Sequence, residues 1–505
     1  MKCIPLLALA VALVSTALAT PSDTTVILNG TAIDPGTGKV MPNAAITIEG
    51  DHIAAIRENS ADIPKKGVVV IDARGKFVLP GYIDTHVHFF QSGGLFTRPD
   101  AVDLTSVRPY KDEIATIKRK LPDTFARYLR SGITSVLDIG GPLWNFEMRR
   151  IANSSAKAPR VAAAGPLISS VSRPQLDLGD PPIVKIDTPE QGTQMVQKLA
   201  PQKPDYIKIW YIVPPAQTAE RITPKPSEAG PVTPKPGEGG SPPPAPGQSD
   251  VERAAIFRPV VHAVIAEAHR LKLRVAVHAT ELEAARASVE EGADLLVHSV
   301  TDKPVDDAFV KLLKEKGTIL TPTLVVFERY GRTFASKLEL TPEEKAWGNP
   351  EVIASLDVTK LPADKVPDRI KTAMANPQPV LDRIQQTYDI ALKNLKTLQD
   401  AGITIATGTD AGNIGTIHGP AIFREFQLMK QAGLTPMQIL QCTTANAAKT
   451  FGGDTGAKIG SLKPGNFADL VILKSNPLDD IKNASDIDSV MKNGVDYPAS
   501  SILKQ

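Results

Sequence analysis

The sequence predicts an α/β fold, a (β/α)8 barrel joined to a small composite β-sandwich built from both ends of the chain. Two observations carry that expectation. Short β-like runs fill residues 20–80 and return over 451–505, and between them eight apolar runs alternate with helical patterns, as a parallel sheet with crossover helices requires. A chain of 505 residues is also long enough for a barrel and an accessory domain.

The first residues have the layout of an export signal: Lys2, an apolar run over 4–13, and Ala17-Leu18-Ala19 ahead of Thr20. The run is shorter than the roughly 20 residues that span a bilayer. Residues 1–19 are therefore expected to be cleaved near Ala19, leaving a secreted or periplasmic protein with no membrane partner. Cys3 leaves with that segment, and Cys442 alone makes no internal disulfide. Stability must then come from a large core and bound metal.

Strand-like runs follow at Val26-Ile27-Leu28, Ala45-Ile46-Thr47-Ile48, Ile53-Ala54-Ala55-Ile56 and 68–71, parted by Gly and Asn-Gly turns. Their C-terminal counterparts are 468–473 and 489–491. Within the barrel region, 81–450, the strand candidates are 81–88, 133–138, 160–165, 205–210, 274–279, 294–299, 318–324 and 403–410. Two segments interrupt the rhythm. Residues 214–250 are rich in Pro, Gly, Ser and Glu, repeat Thr-Pro-Lys-Pro, and read as a disordered insertion on the catalytic face after the fourth strand. Residues 327–379 look helical and charged, either a lid or a surface excursion.

A net charge of +2 gives neither nucleic acid nor a membrane surface much to attract. The partner class that remains is a small molecule; the oligomeric state, a homo-oligomer included, is left open.

Chemistry concentrates at the strand ends. His86 and His88 lie two apart on one strand, so period-two alternation aims both imidazoles to one face. Alone, such a pair is as readily packed or exposed as metal-binding. His278 and His298 end two further runs and Asp410 ends the eighth, all where barrel enzymes place catalytic groups. Four histidines and an aspartate at one end are hard to explain as core packing and suit a divalent metal. Lys208 sits between isoleucines in Tyr206-Ile207-Lys208-Ile209-Trp210. Pointing inward it must pair with an acid or lose its charge; pointing outward it would be an ordinary surface lysine. Tyr211 is a candidate oxyanion donor and His418 a candidate substrate contact, each with a packing role as the alternative. His52, His262 and His269 lie away from the catalytic end and are not expected to be ligands.

The order His-x-His, Lys, His, His, Asp on successive strands resembles the binuclear amidohydrolases, TIM-barrel enzymes, in their prolidase-like, imidazolonepropionase-related branch. The resemblance also includes 79–88, Gly408-Thr409-Asp410-Ala411-Gly412, Ala432-Gly433-Leu434-Thr435-Pro436, 443–448 and 460–470. It implies two divalent ions, zinc by donor type, bridged by a carboxylated Lys208. One ion would be held by His86, His88 and Asp410, the other by His278 and His298, with Asp410 moving the proton. The activity implied is amide hydrolysis, on a dipeptide, an N-acyl amino acid or a related amide; ester or lactone hydrolysis shares the chemistry. A mononuclear deaminase is the second reading, suggested by His278-Ala279-Thr280-Glu281, and Lys208 discriminates because one metal has no use for a bridge. A catalytically dead binding protein is the third. One departure stands out: many prolidase-like relatives carry Gly-Gly-His after the third strand, where this chain runs from Gly165 to Arg173-Pro174 without a histidine.

Overall fold

A computed structural model describes residues 24–59, 67–212 and 249–504. The expected export signal lies outside them, as does all of the expected insertion except Ser249 and Asp250. Those two begin a helix, Asp250–Arg270, whose capping box pairs Ser249 with Glu252. Among the described residues no helix is long and apolar enough to cross a membrane.

Strands from both ends of the chain share one eight-stranded sheet. Its seam is the antiparallel pairing of Phe77–Pro80 with Leu470–Leu473. The strands form one hydrogen-bonded sheet, with Val69–Asp72 branching off its path, rather than two separate sheets. The reason is the eleven-residue strand Thr24–Asp34, whose register shifts between Leu28 and Ala32. Its first half pairs with Val69–Asp72, its second with Phe77–Pro80. Ile27, Ile46, Val78, Leu470 and Ile472 form the core beneath.

The middle of the chain holds two parallel sheets. Tyr82–Val87, Ile133–Asp138 and Arg160–Ala163 make one. The other has six strands and includes Tyr206–Trp210, Arg274–His278, Leu295–Val297 and Ile319–Thr321, paired in that order. Seven of the eight expected strands are present, several shortened at their polar ends. The eighth, 403–410, is not a ladder strand. Ile405 bridges Leu320 and Ala411 bridges Val87, while the Asp410 amide donates to the His86 carbonyl at 2.7 Å. The segment thus meets both sheets through isolated bridges, with the Ala406 amide donating to the Leu320 carbonyl and the Thr85 amide to the Thr407 carbonyl. Gly408 and a left-handed Asp410, φ 59°, interrupt any longer ladder.

Two layers of inward side chains result. Ile83, Tyr206, Ala276, Leu295 and Ala406 pack toward the amino ends of the strands, in one cluster with Ala447 and Phe451. The polar residues lie above, at the carboxyl ends.

The expected helical segment after the seventh strand is helical, with Val326–Phe334, Pro342–Trp347, Pro350–Ser355 and Asp368–Ala375. It is built into the main core through Tyr330, Leu356 and Ile370, and a buried Arg329–Glu344 pair at 2.8 Å braces it.

Candidate metal centre

His86, His88, Lys208, His278, His298 and Asp410 converge, all buried. Alternation explains part of this. Tyr206, Lys208 and Trp210 share the inward face, as do Ala276 and His278. A register irregularity between Asp84 and Val87 coincides with the switch from inward Ile83 to inward His86 and His88. His298 and Asp410 are aimed differently, by left-handed backbone at φ 75° and 59°. Non-glycine residues there carry strain of about 1–3 kcal/mol each, which persists only where the surroundings enforce it. Gly408 allows the approach, since a Cβ there would lie 2.8 Å from His86 Cβ.

The geometry is that of acceptors facing one another. His86 Nε2 and His88 Nε2 are 3.2 Å apart, and Asp410 Oδ1 lies 3.2 Å from the first and 3.1 Å from the second. His88 Nδ1 donates to the Gly140 carbonyl at 2.7 Å, so its Nε2 presents a lone pair. His298 Nδ1 is held by the Thr323 hydroxyl at 2.6 Å, and its ring lies 4.8 Å from His86 and 4.4 Å from His278. Donor atoms of His86, His298 and Asp410 lie within 4.8 Å of one another.

Burial sets the protonation states. It pushes His86 down to about 3, and His278 and His298 well below the usual imidazole range, so the rings are neutral donors of lone pairs. It pushes Lys208 down to about 7, against the opposing pull of Asp410.

The residues fit divalent cations. His86 Nδ1, Lys208 Nζ, His278 Nε2 and both Asp410 carboxylate oxygens are buried without a hydrogen-bond partner. Orphaned buried polar atoms are costly singly, and five in one place call for a ligand that satisfies nitrogen and oxygen donors together.

Two expected contacts are corrected. Tyr211 faces away from the centre, because it follows inward Trp210 and alternation turns it outward. Its hydroxyl donates to the Ala254 carbonyl and its ring meets Phe257. His418 is held on both nitrogens, Nδ1 accepting from Tyr128 Oη at 2.7 Å and Nε2 donating to the Gln91 carbonyl at 2.8 Å. It stacks on Phe89 and keeps no nitrogen for substrate. His262 pairs with Glu291 and His269 with Asp294, away from the centre. Glu281, the feature that suggested a deaminase, is 3.8 Å from Arg253 and does not line the cavity.

Other residues had gone unassigned. Asp84, buried two positions before His86, accepts from the Thr409 amide at 3.0 Å and the Thr409 hydroxyl at 2.7 Å, anchoring the residue before Asp410. A carboxylate inside an apolar strand was its available signal. Thr323, Asn413 and Arg98 offered none, because their partners are distant in sequence. The centre opens into a cavity whose further wall is Phe90, Leu167, Leu176, Ile183 and Trp210, with Gln91 and Arg98. No residue of 327–379 lines it; Tyr330 reaches its edge through Asn413, at 2.9 Å.

Ochratoxinase from Aspergillus niger is 25% identical over 469 residues, covering 91% of this chain and 82% of its own length. A solved Xaa-Pro dipeptidase with methionine bound in its active site superposes with a TM-score of 0.64 at 24% identity, covering 94% of this chain and all of its own. Molinate hydrolase superposes at 0.65 with 17% identity, covering 95% and 96%. At these identities the two superpositions show the fold alone, which is TIM-barrel-like. The model of the amidohydrolase family matches residues 77–495, and the chain belongs to that family, hydrolases acting on carbon–nitrogen bonds.

Proposed function

We propose that the protein is a binuclear metal-dependent hydrolase that cleaves an amide bond in a dipeptide, an N-acyl amino acid or a related amide. The observation that carries this is the convergence of four buried imidazoles, one carboxylate and one buried lysine around orphaned donor atoms. His86, His88 and Asp410 would hold one cation, His278 and His298 the other, and we extend the proposal to a single closed barrel around them. Bound as a pair, zinc or similar cations supply Lewis acidity that polarises a carbonyl and acidifies water.

Lys208, once carboxylated, would help hold both cations in this reading. Its neutral amine adds to CO₂, forming one N–C bond and releasing one proton, which leaves a carbamate with two oxygen donors. The Asp410 carboxylate takes a proton from the attacking water. As the C–N bond breaks, Asp410 returns that proton to the departing nitrogen. Gly140 and Thr323 keep the rings of His88 and His298 oriented meanwhile. Residues 1–19 support the further proposal of a secreted or periplasmic location.

The test is metal analysis of the purified protein with a screen of dipeptide and N-acyl amino acid libraries. About two metals per chain, and turnover abolished by chelation and restored by zinc, are expected. One metal with ammonia release would instead establish the deaminase, and metal-loaded protein inert on every amide would overturn the reading.

A further inference from the structure

We infer that Arg98 and Arg173, sharing Asp100 at the rim of the metal cavity, select an amide substrate that bears a carboxylate beside an apolar group. The inference rests on the proposed amide hydrolysis for what is cleaved, but the charge selection is read from residues outside the metal cluster.

Arg98 lines the cavity and is buried. Its Nε and Nη2 donate to the two oxygens of Asp100, each at 2.7 Å, and its Nη1 reaches Asn413 Oδ1 at 3.2 Å. Asp100 therefore already has a bidentate partner. Arg173 approaches the same carboxylate, its Nε 3.4 Å from Oδ2, and its guanidinium lies 5.0 Å from the centre of the Trp210 ring. Trp210 is itself cavity wall. Two guanidinium groups on one carboxylate leave an excess positive charge at this rim. The Asp100 side chain is 2% exposed and that of Arg173 is 28% exposed, so a ligand meets the cation rather than the acid.

The rest of the wall defines the remainder of the ligand. Phe90, Leu167, Leu176, Ile183 and Trp210 are apolar, and a ligand lying on them with its charge at Arg173 is amphipathic. Arg173 is delivered by the loop after the third strand, the same loop that lacks a histidine, and its place over the Trp210 ring limits the freedom of its fork before a carboxylate binds. An amide joining an aromatic or aliphatic group to a carboxylate-bearing residue satisfies both parts.

Calorimetric titration of the metal-loaded protein with 3-phenylpropionate and with 3-phenylpropan-1-ol tests this without turnover. The two probes share the apolar part and differ in charge. Arg173→Gln and Arg173→Lys are compared with the parent; Arg98 is left intact because it also braces Asn413. The parent should prefer the carboxylate, Arg173→Gln should reduce that preference by roughly tenfold, and Arg173→Lys should retain part of it. Added salt should weaken only the carboxylate. An unchanged preference in Arg173→Gln would place the carboxylate on the metals and overturn the inference. Equal weakening of both probes would make Arg173 a wall residue and also overturn it. Failure of the amide screen leaves this charge preference measurable, so the two ideas fail separately.

Discussion

The same strands carry two very different layers. At their amino ends Ile83, Tyr206, Ala276, Leu295 and Ala406 form a dry layer sealed by Phe451, and Tyr206 spends its hydroxyl on the Thr450 carbonyl at 2.9 Å. Two to four residues further along the same chain stand His86, Lys208, His278, His298 and Asp410, equally buried, with five polar atoms unsatisfied. Burial is alike in both layers; satisfaction of polar groups is not. The contrast teaches that the lower layer pays for stability in packing while the upper layer is held in a costly state by its surroundings, as functional sites are.

Lys208→Ala is the largest test of that contrast. It should cut metal content to one ion or fewer and lower turnover by about a thousandfold or more, with far-ultraviolet circular dichroism unchanged. Near-normal turnover would refute the carbamate bridge. Phe451→Ala acts on the other layer. It should destabilise by about 3–5 kcal/mol in denaturant titrations while metal stoichiometry stays at its starting value; metal loss there would show the layers to be coupled.

Glu425 tests burial without a metal role. Burial pushes its carboxyl up to about 8, although it accepts from the Leu324 and Val325 amides at 2.9 and 2.8 Å. The folded protein then binds a proton that the unfolded chain releases above about 4.5, so this group's contribution to stability falls as pH rises from about 4.5 to about 8. Glu425→Gln should flatten that portion of the melting temperature against pH, and an unaltered slope would assign it to other groups. Thr323→Val removes the hydroxyl on His298 Nδ1 and should weaken metal affinity by about tenfold in competition with a chelator. The smallest effect belongs to Tyr211→Phe, which loses one hydrogen bond worth about 1 kcal/mol of stability with turnover unchanged; a large fall in turnover would return Tyr211 to the site.

Much of the framework was legible because strand patterns are local. Residues 133–138 read as a strand and form one with the same bounds, since Val136 and Leu137 are apolar and a helix and turn flank them. Lys208 was legible as an inward residue from its isoleucine neighbours, and it is buried. The last strand was misjudged, because its apolar run 403–406 hides a segment that joins two different sheets by isolated bridges rather than one ladder. Tyr211 was misplaced by adjacency to the strand end, and His418 by its position after Asp410, although Tyr128, some 290 residues away, claims one of its nitrogens.

By itself the sequence determined the kinds of donor and their order along the chain, because period-two alternation and strand-end placement depend on near neighbours alone. Tertiary structure decided which donors meet. The left-handed turns at His298 and Asp410, the Asp84 anchor on Thr409 and the sharing of Asp100 by two arginines all join residues far apart in the chain. Such contacts arise only when packing brings distant segments together, and no local pattern encodes them.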